Sequence, residues 1–158
     1  MRGGLHIDES VEALRSEFNQ HADAERAAPM EAYMKHRFPF HGLPKPIRAE
    51  IQRPFLAEWK AMEIEWIHKL AERLWQLPER EYQYTAMDLL MAAKRKWTPE
   101  SLHHFEAMIS ERSWWDSVDA IASRMVGGVI GLNPAKHRRR VIGYRSEEHT
   151  SELQSQFR

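Results

Sequence analysis

The chain has 158 residues, a length that suits one domain with a hydrophobic core of its own. It contains no cysteine, which excludes disulfides and thiolate metal sites, and its formal net charge is zero, so composition alone does not indicate a polyanionic partner. No segment approaches the roughly 20 apolar residues that cross a bilayer, and the N-terminus lacks the apolar core of a signal peptide, so we expect a soluble cytoplasmic protein.

Apolar residues recur at helical spacing along most of the chain, and no segment alternates as a β-strand does. A first helix is predicted around the stripe of Val11, Leu14 and Phe18. A second stripe ends at Pro78, and a third helix is predicted from about Glu79 to the basic run at Lys94. The second stripe consists of Ala57, Met62, Ile64, Ile67, Leu70 and Leu74.

The stretch FPFHGLPKP, residues 38–46, is too rich in proline for a helix, so it predicts a connector that lies against the body of the protein. A fourth helix is predicted to open with Thr98 as N-cap and Pro99 in its first turn. It carries an apolar stripe formed by Leu102, Phe105 and Ile109.

A fifth helix is predicted to begin at Ser113, because Ser113 and Asp116 form the S-x-x-D pattern of a capping box. We expect Gly127 and Gly128 to weaken or kink its later part. Helices joined by short turns predict an all-α fold, an α-solenoid of HEAT-like antiparallel helix pairs. An irregular helical bundle is the alternative, since no crisp sequence repeat is visible.

The C-terminal stretch RSEEHTSELQS, residues 145–155, has no apolar periodicity and resembles the in-frame translation of a sequencing-library adapter. A genuine polar tail is the alternative. We expect residues 145–158 to be non-native and disordered, and residues 1–144 to be the N-terminal part of a longer solenoid domain. Such a piece would expose the apolar face of a missing neighbour, so we expect poor solubility or oligomerisation.

Basic residues are clustered although the net charge is zero. Five bases between Lys35 and Arg53 face only Glu50, and two short basic runs occupy residues 94–96 and 138–140. Such clusters fit phosphate binding, but they also fit solvated helix ends that complement the helix dipole. Charge distribution alone leaves both interpretations open.

The stretch SWWDSVD, residues 113–119, places Trp115 and Asp119 four residues apart, on one face of the predicted helix. An indole face and a neighbouring carboxylate together favour a positively charged group. Alternatively, Trp115 packs against another helix and Asp119 pairs with Arg112. Trp114 has the spacing of a core anchor, in one stripe with Val118, Ile121 and Met125.

Three stretches together resemble the AlkD-type DNA alkylation repair enzymes, the HEAT-like-repeat DNA glycosylases. They are FNQHADAERAAPMEAYMKHRFPFHGLPKPIR, LWQLPEREYQYTAMDLL and SWWDSVDAIA, and the resemblance runs from about Leu14 to Pro134. It implies a curved stack of helix pairs with a basic concave face for duplex DNA. It also implies hydrolysis of the N-glycosidic bond of cationic N3- or N7-alkylated purines, with no metal or other cofactor and no obligate protein partner.

By position, the resemblance assigns the family's catalytic aspartate and tryptophan to Asp119 and Trp115. Asp119 would stabilise the positive charge that builds on the deoxyribose and would orient or deprotonate the attacking water. The face of Trp115 would stabilise the cationic sugar and base. The family's second active-site tryptophan and several DNA-contacting arginines belong to later repeats, and nothing in this chain stands in for them.

Tyr33 matches a family position near the DNA, although a core tyrosine is the alternative. Arg48, Lys94 and Lys96 are further candidates for phosphate contacts, with solvated charges as the alternative. Leu43-Pro44 replaces the polar side chain that better-known members carry in the connector, which argues against a DNA contact there. From another functional class, a non-enzymatic HEAT-like module that binds DNA or protein is the rival interpretation.

Overall fold

The computed structural model describes residues 5–111, and within that range it is entirely helical, without strands. This confirms the predicted all-α class, and the succession of helices and short connections is consistent with an α-solenoid. The chain divides between Lys94 and Arg95 into two compact units. The helices are α1 (Ile7–Gln20), α2 (Ala24–Tyr33), α3 (Lys45–Trp59), α4 (Ile64–Trp75), α5 (Arg80–Ala92) and α6 (Ser101–Ser110).

Helix α1 forms as its apolar stripe predicts, because Val11, Leu14 and Phe18 are all buried. The stripe packs against α3 and α4.

None of the helices in the described residues is long and apolar enough to cross a membrane.

Helices α2 and α3 were not indicated by hydrophobic periodicity, and each contains an internal proline, Pro29 and Pro54. Helix α2 buries only Ala27, so it has no apolar stripe to detect. Its start is nevertheless well defined. The Asp23 carboxylate caps the helix by accepting the backbone N–H groups of Glu25 at 2.9 Å and Arg26 at 3.3 Å.

The predicted second stripe is wrong as a single helix, because the chain leaves α3 after Trp59 and begins α4 at Ile64. Ala57 is exposed near the end of α3, whereas Ile67, like Leu70 and Leu74, is buried in α4. Ala57 and Met62 therefore had helical spacing to the later residues without sharing their buried face. Buried Trp59 anchors the end of α3 before the turn.

The connector lies against the body of the first unit, as predicted, since Phe38, Phe40 and Leu43 are buried. It is shorter than predicted, because Lys45 and Pro46 already form the first turn of α3. Proline is accepted there, since the first N–H groups of a helix have no intrahelical acceptor.

Helices α4 and α5 are sequential neighbours joined by residues 76–79, and they make the most extensive helix contact of the first unit. The helix predicted from Glu79 is confirmed as α5, which buries Tyr82, Ala86, Leu89 and Leu90. Such short-looped helix pairs are the building unit of helical solenoids.

In the second unit, α6 buries Leu102, Phe105 and Ile109 as predicted. The predicted N-cap, Thr98, is two residues early, because the observed N-cap is Glu100. The Ser101 N–H donates to the Thr98 carbonyl at 2.9 Å, and the Thr98 N–H donates to the Ser101 hydroxyl at 3.1 Å, so a turn precedes the helix. The helix predicted at Ser113 and the tail at 145–158 lie outside the described residues.

Candidate nucleic-acid interface

The connector between α2 and α3 is held by a buried carboxylate from α5. Glu81 accepts three successive backbone N–H groups, from His41 at 2.9 Å, Gly42 at 3.0 Å and Leu43 at 3.1 Å. A segment without secondary structure must find acceptors for its buried N–H groups, and a carboxylate is a strong one. Glu81 therefore supplies the hydrogen-bond acceptors that backbone carbonyls supply within a helix or a sheet.

A second carboxylate also holds the connector, since Glu31 of α2 accepts the Phe40 N–H at 2.9 Å. The connector also touches the start of α2, where the Asp23 N–H donates to the His41 carbonyl at 2.8 Å. Gly42 has φ +90° there, and an added Cβ would lie 2.0 Å from the Asp23 carbonyl oxygen. Only glycine fits this close approach.

Aromatic rings pack behind the connector. The Tyr82 hydroxyl lies 2.9 Å from His41 Nε2, and the Tyr82 ring stacks on Phe18 with centroids 5.2 Å apart. Burial raises the pKa of the Tyr82 hydroxyl well above its usual range, and the nearby Glu79 carboxylate raises it further. Tyr82 therefore stays a neutral phenol.

Arg80, next to Glu81 in the chain, is fully buried and ties α5 to the start of the connector. Its backbone N–H donates to the Pro39 carbonyl at 2.9 Å, and its guanidinium carbon lies 4.0 Å from the centroid of the Phe38 ring. Arg80 and Glu81 were not predicted as positioning residues. One signal in the sequence could have indicated this role. The Phe-x-Phe-x-Gly stretch has backbone N–H groups that no helix or strand satisfies, and the Glu-Arg-Glu stretch offers charged side chains that could pair with them.

Tyr33 lies at the C-terminal end of α2 and is 69% exposed. The alternative in which Tyr33 is a core residue therefore does not hold. An exposed aromatic ring with a polar hydroxyl suits an interface. Its predicted DNA contact stays a prediction.

The residues that follow Tyr33 form a basic turn. Lys35, His36 and Arg37 are exposed, while Met34 before them and Phe38 after them are buried. We call residues 35–37 the basic turn. Its ends are thus fixed in the body of the first unit, and its side chains face solvent.

Arg48 is buried between α3 and α5. It donates to Asp88 at 2.7 Å and to Gln52 at 3.0 Å, and Gln52 donates to the same Asp88 oxygen at 2.8 Å. Its guanidinium carbon lies 5.4 Å from the Tyr84 ring centroid. Because Asp88 balances its charge, this placement does not favour the predicted phosphate contact by Arg48.

Lys94 and Lys96 lie in a single 3-10 turn, Lys94–Lys96, where Lys94 is exposed and Lys96 half-buried. Their phosphate contacts stay predictions. Trp115 and Asp119 lie outside the described residues. Within the part of the chain that is described, no group of three or more histidine or acidic side chains is placed to hold a metal ion.

The chain matches a family model and resembles a solved structure. Residues 14–146 match the model of a family described as DNA alkylation repair enzymes. A solved structure of a predicted DNA alkylation repair enzyme from Enterococcus faecalis is 33% identical, with a TM-score of 0.71. The match covers 80% of this chain and 59% of that one, so the chain spans little more than half of that protein's length. No curated protein matches the chain.

Proposed function

The chain belongs to the family of DNA alkylation repair enzymes, and from this premise we propose that it is a DNA glycosylase. Its substrates would be cationic N3- and N7-alkylated purines in duplex DNA. The observation that carries the proposal is the extent of the family match, residues 14–146, which includes Trp115 and Asp119. The family supports a role in DNA repair, and the bond that is cleaved is our proposal.

The proposed chemistry needs few groups. An alkylated purine already carries a positive charge, so it leaves as a neutral base without protonation by a strong general acid. The difficult part is the positive charge that develops on the deoxyribose as the bond from C1′ to the base nitrogen breaks. Water then forms the new bond to C1′ and loses a proton, which leaves an abasic site.

Asp119 would act on that charge as a carboxylate and would orient the water or take its proton. The face of Trp115 would stabilise the cationic sugar and base by a cation–π interaction. Neither role needs a metal ion. On the first unit, Tyr33 would provide a DNA contact, for which its exposure leaves the ring accessible.

Asp119→Asn tests the proposal, because it keeps the shape of the side chain and removes its charge. We expect release of 7-methylguanine from alkylated duplex DNA to fall roughly 100-fold, about 3 kcal/mol of transition-state stabilisation. Asp116→Asn is the matched control. It changes a carboxylate assigned to helix capping, so base release per folded molecule should be retained.

Unchanged base release by the Asp119→Asn chain would remove Asp119 from the mechanism. A chain extended to the full length of its relatives that binds duplex DNA with steep salt dependence and releases no base would instead indicate a non-enzymatic DNA-binding module. Released base, measured chromatographically, distinguishes these outcomes.

A further inference from the structure

We propose that the basic turn, residues 35–37, is a preorganised contact for the phosphate backbone of duplex DNA, with Lys35 as its principal charge. The proposal rests on the proposed function for the identity of its partner. It does not depend on base excision, because phosphate contacts position a protein on DNA whatever chemistry follows.

The first observation is backbone conformation. Lys35 has φ 56° and His36 has φ 59°, so two consecutive residues with side chains occupy the left-handed region. This region is uncommon for residues other than glycine and is costly to maintain. Left-handed residues commonly end a helix, and the bonds from the Lys35 and His36 N–H groups to the Ala32 and Glu31 carbonyls are those of a helix C-terminal cap, so this conformation fixes the direction in which the turn leaves α2.

The second observation is what enforces the strain. Met34 and Phe38 are buried on either side of the turn, and the Arg80 guanidinium lies against the Phe38 ring at 4.0 Å. Just beyond Phe38, the Glu31 carboxylate accepts the Phe40 N–H. The turn is therefore held at both ends, so its backbone loses little freedom when the turn meets a ligand.

The third observation concerns the hydrogen-bond and ion-pair partners of the basic turn. The backbone N–H groups of Lys35 and His36 already donate to the carbonyls of Ala32 at 3.0 Å and Glu31 at 2.8 Å. Only their side chains remain to recognise a ligand. In the described part of the chain, neither side chain has a carboxylate partner.

Four arginines of the first unit differ in that respect, because each forms an ion pair with a carboxylate: Arg15 with Glu12, Arg26 with Asp23, Arg53 with Glu50 and Arg73 with Asp8. A lysine without a counter-charge, beside an exposed tyrosine, presents a positive and aromatic surface. Phosphate oxygens are the groups on duplex DNA that lysine side chains and tyrosine hydroxyls commonly contact.

The experiment measures binding of the 158-residue chain to an undamaged duplex by fluorescence anisotropy over a range of salt concentrations. Loss of one phosphate contact lowers the magnitude of the slope of log K against log salt by about 1. We expect this change for Lys35→Gln, with weaker binding at low salt. Arg53→Gln is the matched control, since Arg53 is also exposed to solvent but is paired with Glu50, and its slope should stay at the wild-type value.

A second variant, Lys35→Gly, separates binding from folding. Glycine tolerates positive φ, so the midpoint of thermal unfolding should rise while DNA binding weakens as in Lys35→Gln. A residue with a purely structural role would not give opposite effects on stability and binding. A lowered unfolding midpoint would contradict the strain on which the proposal rests.

Equal slopes for Lys35→Gln and the wild-type chain would overturn the proposal, as would a wild-type chain without measurable DNA binding. Base release from alkylated DNA is measured on the same samples. An unchanged slope for Lys35→Gln with intact base release would refute only the phosphate contact by the basic turn. A reduced slope without base release would refute only the proposed glycosylase activity.

Discussion

Single side chains hold the irregular segment that leads into α3. The Glu81 carboxylate accepts three backbone N–H groups, and Gly42 allows the chain to pass against the Asp23 carbonyl. Neither residue faces solvent in a way that would suit a ligand, since Glu81 is fully buried. Their role is to position the connector, and with it the basic turn that precedes it.

Glu81→Gln should destabilise the first unit by about 3 kcal/mol, because an amide N–H₂ would replace one of the accepting oxygens and face backbone donors in a buried site. Chemical denaturation gives the loss. Glu12→Gln is the matched control, a carboxylate that is 66% exposed and paired with Arg15, for which we expect a change within about 0.5 kcal/mol. Similar losses for the two variants would contradict the positioning role of Glu81.

Helices α3 and α5 meet through a polar cluster as well as through apolar contacts. Gln52 is central to it: its amide nitrogen donates to Asp88 and its amide oxygen accepts from Thr85 at 2.8 Å and from Arg48. Every group is matched in donor and acceptor character, which is what a buried polar cluster requires. The cluster specifies how these two helices pair.

Asp88→Ala should cost about 2 kcal/mol in the free energy of unfolding, because it leaves the buried Arg48 guanidinium without its counter-charge; the 41% exposure of Asp88 keeps the loss below that of a fully buried pair. Glu50→Ala, which breaks the exposed pair of Glu50 and Arg53 on α3, should cost less than about 0.5 kcal/mol. Urea denaturation of the two variants compares the pairs directly. Equal costs would show that the α3 to α5 cluster contributes no more than a surface pair.

At the scale of the whole molecule, the first unit has a core to which α1, α3, α4 and α5 all contribute large side chains. These include Phe18, Trp59, Trp75 and Tyr82, all fully buried or nearly so. Tyr82 makes the stability of this core depend on pH, because folding raises the pKa of the Tyr82 hydroxyl. Below the pKa of the unfolded chain, near 10, both states keep the proton and stability is unaffected.

Above pH 10 the unfolded state loses the Tyr82 proton while the folded state keeps it, so the unfolded state binds fewer protons and stability falls as pH rises. The slope contributed by this group approaches about 1.4 kcal/mol per pH unit. Denaturation curves between pH 8 and about 11 measure it. Tyr82→Phe removes the group and should flatten the alkaline decline, and a decline as steep as that of the wild-type chain would contradict the assignment.

Prediction from the sequence succeeded where an element buries an apolar stripe. Helices α1, α5 and α6 have such stripes, and the order of matching stretches identified the family. It failed for α2, which buries only Ala27, and for the end of α3, where Ala57 had helical spacing to residues of the next helix. Hydrophobic periodicity arises from a buried apolar face, so it cannot indicate a helix that has no such face.

By itself the sequence determined the helical class, the family and the candidate pair Trp115 and Asp119. Only the tertiary structure decided which charged side chains form ion pairs within the protein. Arg48 and Lys35 looked alike in the sequence, yet Arg48 is neutralised by Asp88, 40 residues further along the chain, whereas Lys35 extends from a strained turn without a carboxylate partner among the described residues. Ion pairing depends on distances between side chains, and those distances exist only once the helices have packed.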